Sequence, residues 1–313
     1  MKKYKERIMD KNNKLLIVAS LAYDGIDTGE IKVDRELGGA GSYICLSIKH
    51  FNLFSGIVSV VGNDFKQSDL KLLESCGVNL DGVEINLNEK TFYWRCVYRN
   101  NFNERETLET VLNVMEDFKP IVPVDQREPN IMLLGNLHPE IQLLAMNQIT
   151  NKPKAIILDT INFWIEKFWD TLEKVINNVD VISINEEESL LITGEKNIEK
   201  AANILHEMGP QYVIIKKGKD GAELFGEGKK YFAPAYKINK VVDPTGAGDC
   251  FIAGIAGYLS EINEVSFESL KSAIYYGTSI ASFNLEKLGT KNLLNLPKQK
   301  IEERIKTLKE QSE

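Results

Sequence analysis

The chain has 313 residues, 43% hydrophobic and 27% charged, with a formal net charge of −7. That composition supports a sizeable core and excludes a disordered chain, while the acidic balance speaks against a nucleic-acid or anionic-membrane partner. No apolar run reaches the roughly 18 residues that a membrane-spanning helix needs.

The start, "MKKYKERIMDKNNK", is basic but has no apolar stretch, so it reads as a polar extension rather than a signal peptide. From Leu15 onward, strand-like and helix-like segments alternate. "LLIVASLAY" reads as one buried strand, "AGSYICLSIKHF" as a helix, "FSGIVSVVG" as a strand, and "DFKQSDLKLLESCG" as a helix that Gly77 ends. The pairs "NIMLLGNL"/"PEIQLLAMNQI", "KAIILDTI"/"FWIEKFWDTLEKVINN" and "VDVISIN"/"EEESLLITG" continue the rhythm, and "QYVIIKKG" follows the helix "NIEKAANILHEMG". Such alternation predicts a parallel sheet with helices on both faces. Residues 25–37 and 81–114 break the rhythm: they have polar alternation and no crossover helix, and they predict a small antiparallel sheet over one end of the large one. The expected fold is α/β, a three-layer doubly wound and mostly parallel sheet with a small antiparallel β-lid, all in a single domain over 1–313. Four scattered cysteines without a CxxC pair predict free thiols and a cytoplasmic setting, and three isolated histidines show no zinc pattern.

One stretch carries chemistry. In "VVDPTGAGDCFIAGIAGYL" (241–259) a strand end, "KVV", runs into a loop of small residues and then a helix. A helix N-terminus offers unpaired N–H groups and a partial positive charge, which suit an anion. Gly246, Ala247 and Gly248 keep side chains out of the way of a phosphate, and Asp249 follows in the first turn. A carboxylate beside an anion cradle suits a general base for an alcohol that attacks phosphorus. Taken alone, Asp249 also fits a simple helix-start charge. The loop is neither a GxxxxGK[ST] P-loop nor a GxGxxG dinucleotide turn.

"DPTGAGDCF" resembles the C-terminal signature of the ribokinase-like, or PfkB-type, carbohydrate kinases. "ELGGAGSYICLSIKHF" with "VVGNDF", "NEEE" (185–188) and "KKGKDGAELF" (216–225) are similar to further elements of that family, in the family's order. The resemblance implies Asp249 as base and the N–H groups of Gly246, Ala247 and Gly248 as the hole for the transferring phosphoryl. It implies Asn185 and Glu188 near the phosphates, with Glu188 holding Mg²⁺ through water, and Gly218 and Gly221 along ATP. On the substrate side it implies Asp24, at the end of the first strand, with Gly38 and Gly39 as close-approach and hinge positions. Each has a plainer reading: Asn185 as an N-cap, Gly38–Gly39 as a turn, Asp24 as an Asx turn before Gly25, and Gly218 and Gly221 as hairpin punctuation.

Two departures bear on the substrate. Tyr43 stands where ribokinases commonly have Asn, which points away from ribose and toward a more apolar acceptor. "DTINFW" lacks the arginine of fructokinase-like members, and Asp159 stays a substrate candidate at a strand's carboxyl end. A monovalent cation such as K⁺, involving Asp243, Ser282 and Gly289, is implied by the family alone. The expectation is an ATP- and Mg²⁺-dependent kinase of a small polyol: a sugar, sugar acid or cyclitol. The alternatives are a nucleoside kinase, with Phe92, Tyr93 and Trp94 stacking on a base, and a catalytically inactive sugar sensor. A homodimer through the lid is the expected assembly.

Overall fold

The computed structural model describes residues 14–100, 102 and 104–312; the basic start lies outside the described residues. Strands are β1 (Lys14–Val18), β2 (Ala22–Asp27), β3 (Lys32–Gly38), β4 (Phe54–Gly62), β5 (Val78–Asn86), β6 (Tyr93–Arg99), β7 (Glu104–Val111), β8 (Ile131–Leu134), β9 (Ala155–Asp159), β10 (Val181–Asn185), β11 (Tyr212–Lys216), β12 (Gly221–Gly226) and β13 (Lys229–Pro234). Helices are α1 (Ala40–Ile48), α2 (Gln67–Ser75), α3 (Pro139–Met146), α4 (Asn162–Lys167), α5 (Trp169–Ile176), α6 (Glu186–Thr193), α7 (Ile198–Met208), α8 (Ala247–Ile262), α9 (Phe267–Asn284) and α10 (Lys298–Glu310).

The large sheet runs β13-β12-β11-β10-β9-β8-β1-β4-β5 and is parallel from β5 through β11. Its central strands read as unbroken apolar runs because both faces are covered. Alternate side chains serve opposite layers. Leu15, Ile17, Ile131 and Leu133 join a core with α1, α8 and α9. Leu16, Val18, Met132 and Leu134 join another with α3, α5 and α7. Helix on sheet on helix is the predicted three-layer arrangement. From β1 the chain winds one way to β4 and β5, then returns to β8 on the other side of β1. That reversal is where open α/β sheets hold ligands, beyond the strands' carboxyl ends.

The small sheet runs β3-β2-β6-β7. Two antiparallel hairpins, β2–β3 and β6–β7, are joined through a parallel β2–β6 pairing. Its inner face, with Ile26, Cys96, Tyr98 and the half-buried Trp94, packs on Leu288.

Several boundaries differ from the sequence expectations. "LLIVASLAY" is two strands in two sheets. The Ser20 carbonyl accepts from Gly41 N–H at 2.8 Å and Leu21 N–H donates to Ser59 Oγ at 3.0 Å, so these two backbone groups keep partners where the chain leaves the ladder. Asp24 therefore lies inside β2, not at the end of the first strand. Residues 81–86 belong to β5, the edge of the large sheet, and Val114 is buried in a 3₁₀ turn at 113–115, so the 81–114 segment contributes only β6 and β7 to the small sheet. An edge strand covered on one face has the same polar alternation as a lid strand, which explains the confusion. "KVV" forms no strand; Val242 N–H donates instead to the Leu285 carbonyl at 2.7 Å. The helix predicted over "FWIEKFWDTLEKVINN" breaks at Phe168 into α4 and α5.

Candidate active site

Helix α8 begins at a left-handed Gly246, with φ 76°. A Cβ there would lie 2.2 Å from Cδ1 of Tyr43, so glycine is required both by the backbone and by the ring packed under it. Gly246, Ala247, Gly248 and Asp249 thus sit at a helix N-terminus without a side-chain cap, where Ala247 N–H donates to the Pro244 carbonyl at 3.2 Å. A Cβ on Gly248 would meet one neighbour, Lys216 Nζ, at 3.5 Å.

The carboxyl ends of β9, β10 and β11 deliver Asp159, Asn185 and Lys216. Lys216 Nζ donates to Asp159 Oδ1 at 2.7 Å in a largely buried pair. Asn185 caps α6: its Oδ1 accepts from Glu188 N–H at 2.8 Å, and Glu188 Oε2 accepts from Asn185 N–H at 2.7 Å. The plainer N-cap reading of Asn185 therefore describes what it does in this structure. Glu188 is buried, and loss of hydration pushes its carboxyl up to about 7 despite the charge of Lys216. Asp249 is also pushed up to about 7, first by desolvation and then by the charge of Asp159, with Lys216 and Arg105 opposing. Arg105, exposed on β7, opposes the rise of both acids through its charge.

Asp24 is buried on β2. A Cβ on Gly38 would stand 2.1 Å from its Cγ, so a bare backbone at 38 makes the room for this carboxylate. Gly39, at φ 77°, donates its N–H to Asp24 Oδ2 at 3.4 Å, and a Cβ there would be 2.5 Å from the Ser20 carbonyl. The consecutive glycines thus line one side of the buried Asp24 carboxylate. Burial raises Asp24 to about 7, and Asp249 and Asp243 add to the shift. Tyr43 is fully buried, with a hydroxyl that has no hydrogen-bond partner, in the field of Asp24 and Asp243. It lies beneath the Gly246 turn.

Asp243 ties that turn down: Oδ1 accepts from Thr245 N–H at 2.9 Å and Oδ2 from Gly289 N–H at 2.8 Å. Tyr98 on β6 hydrogen-bonds Thr245 Oγ1 at 2.9 Å, fastening the small sheet to the same loop. Ser282 does not join Asp243 and Gly289; its hydroxyl donates to the Ser279 carbonyl and accepts from Arg304. Gly218 and Gly221 both take positive φ at the β11–β12 turn, and a Cβ on Gly221 would lie 2.1 Å from the Ala233 carbonyl. Of the aromatic trio, Phe92 packs in the second core and Tyr93 against the first; Trp94 alone is on the inner face of the small sheet.

Sequence reasoning missed Lys216, Arg105, Tyr98 and Thr245. Lys216 had a signal, a cation closing the apolar strand "YVIIK"; Arg105, in the polar run "ERETLETV", had none.

The donor set fits Mg²⁺ bound with a nucleotide. Among the described residues no group of three or more His, Cys, Asp or Glu forms a metal cage. Glu188 and Asp249 nevertheless both feel the charge of Asp159, so three carboxylates gather near the α8 N-terminus. Mg²⁺ is commonly held by one or two carboxylates plus phosphate oxygens and water, and Glu188 is the buried acid available for that.

The sequence signature of the pfkB family carbohydrate kinases matches residues 16–298. A cytidine kinase of Thermococcus kodakarensis is 30% identical over 227 residues, 71% of this chain and 80% of that protein. A nucleoside kinase of Methanocaldococcus jannaschii is 26% identical over 277 residues, 86% of this chain and 85% of its own. Among solved structures, a Burkholderia thailandensis nucleoside kinase in complex with inosine superposes with a TM-score of 0.75 at 17% identity, covering 94% of this chain and 98% of that one. The M. jannaschii nucleoside kinase superposes at 0.74 with 22% identity, covering 95% and 99%. At these identities the superpositions speak for the fold, which is the ribokinase-like one expected from the motifs.

Proposed function

The chain belongs to the pfkB family of carbohydrate kinases and is an ATP-dependent phosphotransferase, and from that premise we propose that its acceptor is a nucleoside. The carrying observation is a pairing of unlike surfaces. The buried Asp24 offers a carboxylate suited to vicinal sugar hydroxyls, and the same sheet presents Trp94 with Phe102 close to Tyr98 on its inner face. A free polyol has no flat ring for such a wall; a nucleoside has both a diol and a π-face. The names of the cytidine and nucleoside kinase relatives support the same class.

In this reading Asp24 fixes the sugar and points a primary hydroxyl at the α8 terminus. Asp249 takes the hydroxyl proton as its oxygen bonds to the γ-phosphorus. The bond from that phosphorus to the bridging oxygen breaks, and ADP leaves with the electron pair. N–H groups of the Gly246–Gly248 turn receive the charge on the phosphoryl oxygens. Mg²⁺ supplies charge neutralisation on the phosphates, with Glu188 holding it through water. The hairpins β2–β3 and β6–β7 act as a lid hinged at Gly38–Gly39, and they belong to one domain with the large sheet. The exposed Ile31 and Leu108 support that lid as the contact of a homodimer. K⁺ would act at the junction of Asp243 with Gly289, read as higher kcat in KCl than in NaCl.

A panel assay tests the acceptor. Cytidine, uridine, adenosine, inosine, ribose, fructose, 2-dehydro-3-deoxygluconate and myo-inositol are compared by kcat/KM with MgATP. A nucleoside should lead and yield its 5′-phosphate. Leadership by a free sugar, sugar acid or cyclitol would overturn the proposal. Trp94→Ala should raise KM for the nucleoside roughly 5–100-fold, the usual worth of one stacked base.

A further inference from the structure

One buried ring has no part in the steps above. Tyr43 is the fourth residue of α1, which starts directly after the left-handed Gly39. It is only 1% exposed, and its hydroxyl is buried without a partner, so the side chain reaches the chemistry through the protein rather than through solvent. A Cβ on residue 246 would lie 2.2, 2.3 and 2.4 Å from Cδ1, Cε1 and Cγ of Tyr43, so one edge of the ring presses on the bare α-carbon of Gly246. The far end points toward Gly289, where a Cβ would stand 3.9 Å from the hydroxyl. Asp243 spans the same two places by accepting from Thr245 and Gly289. An unpaired buried hydroxyl costs stability, and a ring without it would fill the same space; the turn uses the ring and not the oxygen.

We infer that Tyr43 is a positioning residue, whose ring supports Gly246 from beneath and so sets the Gly246–Gly248 turn against the transferring phosphoryl group. Gly246 is the left-handed residue from which α8 starts, and no side chain caps that end. A glycine is the least restrained backbone in such a turn. A donor that drifts from its acceptor loses strength steeply with angle and distance, so the turn needs support from outside itself. The support is itself fixed. All nine residues of α1 are buried. Ser42 Oγ donates to the Gly38 carbonyl at 2.6 Å, and Ser47 Oγ donates to the carbonyl of Tyr43 at 2.7 Å.

This role rests on the turn as the phosphate cradle, not on the identity of the acceptor. Calorimetry with AMP and with the non-hydrolysable β,γ-imido analogue of ATP, each with Mg²⁺, reads the cradle apart from the rest of the nucleotide site. All variants are compared below their melting temperatures. Tyr43→Leu should weaken the analogue about tenfold and leave AMP near wild type, the loss of roughly one well-placed hydrogen bond. Tyr43→Phe keeps the ring and should match wild type for both ligands. Ile44→Ala controls for a loosened helix: Ile44 is also buried on α1 but faces Gly135. It should lower the melting temperature and leave the ratio of analogue to AMP affinity unchanged. An unchanged ratio in Tyr43→Leu, or an equal fall in Ile44→Ala, overturns the positioning role. A fall in Tyr43→Phe as large as in Tyr43→Leu overturns it too, because the hydroxyl would then be the working part. Gly248→Val, which fills the cradle, should weaken the analogue. No change there would remove the cradle itself, whatever the Tyr43 variants do.

Discussion

At the scale of residues the site is a set of buried and half-buried carboxylates, and their titration gives two predictions with opposite consequences. As the proposed base Asp249 would act only when ionised, and desolvation with the charge of Asp159 pushes its carboxyl up to about 7. The rate kcat/KM should therefore fall about tenfold per unit below pH 7 and level off above it. Asp249→Asn should remove that limb and lower kcat by roughly 10²–10⁴-fold while nucleotide affinity stays near wild type. Wild-type-like turnover in this variant would end its assignment as base. Stability runs the other way. Asp24 holds its proton up to about 7 when folded but releases it near 3.8 when unfolded. Between those values the native state binds more protons, so stability falls as pH rises through that window. Asp24→Asn should thus stabilise the free protein by about 1–3 kcal/mol at pH 8 and by little at pH 4, measured by thermal unfolding at both pH values. A destabilised variant at pH 8 would show that the Gly39 N–H to Asp24 contact outweighs the buried charge. Glu188→Gln keeps an acceptor for the α6 cap and loses only charge, so a raised Mg²⁺ requirement in it, with none in the exposed Glu187→Gln, would report a metal role apart from capping.

At the scale of elements the two hairpins are the moving part we propose. They are joined to the large sheet through Gly38–Gly39, the Tyr98–Thr245 hydrogen bond and the small cluster around Leu288. Closure over substrate would exclude water from the phosphoryl group. Hydrogen exchange with nucleoside and the imido analogue bound should slow at 22–38 and 93–111 together, while β5 at 78–86 stays unchanged because it is part of the large sheet. Slowing in β5 but not in β6 and β7 would refute the lid. Gly39→Val should lower kcat and raise KM, since its φ of 77° and the 2.5 Å approach to the Ser20 carbonyl both exclude a branched side chain.

At the scale of the whole molecule the site depends on helices that pack backbone to backbone. A Cβ on Gly254 of α8 would lie 2.6 Å from the Cα of Gly277 on α9. Gly254→Val should cost about 1–3 kcal/mol by overpacking, and it should also weaken MgADP binding, because the α8 terminus moves with the helix. Lost stability with unchanged MgADP affinity would show that the terminus is held by Asp243 and Gly289 instead. Among the described residues no helix is long and apolar enough to cross a membrane. Sedimentation of wild type against Leu108→Asp tests the lid dimer: a monomer in the variant alone supports it, and a monomer in both refutes it.

Much of this molecule was legible in the chain itself. Alternating apolar runs and helical periods specified a covered parallel sheet, because burial on both faces leaves that pattern wherever it occurs. The DPTGAGD loop announced a helix N-terminus with an acid in its first turn, since only small residues at positive φ permit that backbone. What lay beyond the sequence depended on contacts between distant segments. The double glycine at 38–39 read as a hinge or turn, yet its first member makes room for Asp24, fourteen residues upstream in the opposite strand of a hairpin. The edge strand β5 carried the same alternation as the lid, because one-sided burial looks alike in either sheet. Lys216 and Arg105 were ordinary cations until the strand order set one against Asp159 and the small sheet brought the charge of the other to bear on Glu188 and Asp249. Periodicity records which faces a segment buries; which charges meet across those faces is decided only when the strands take their places.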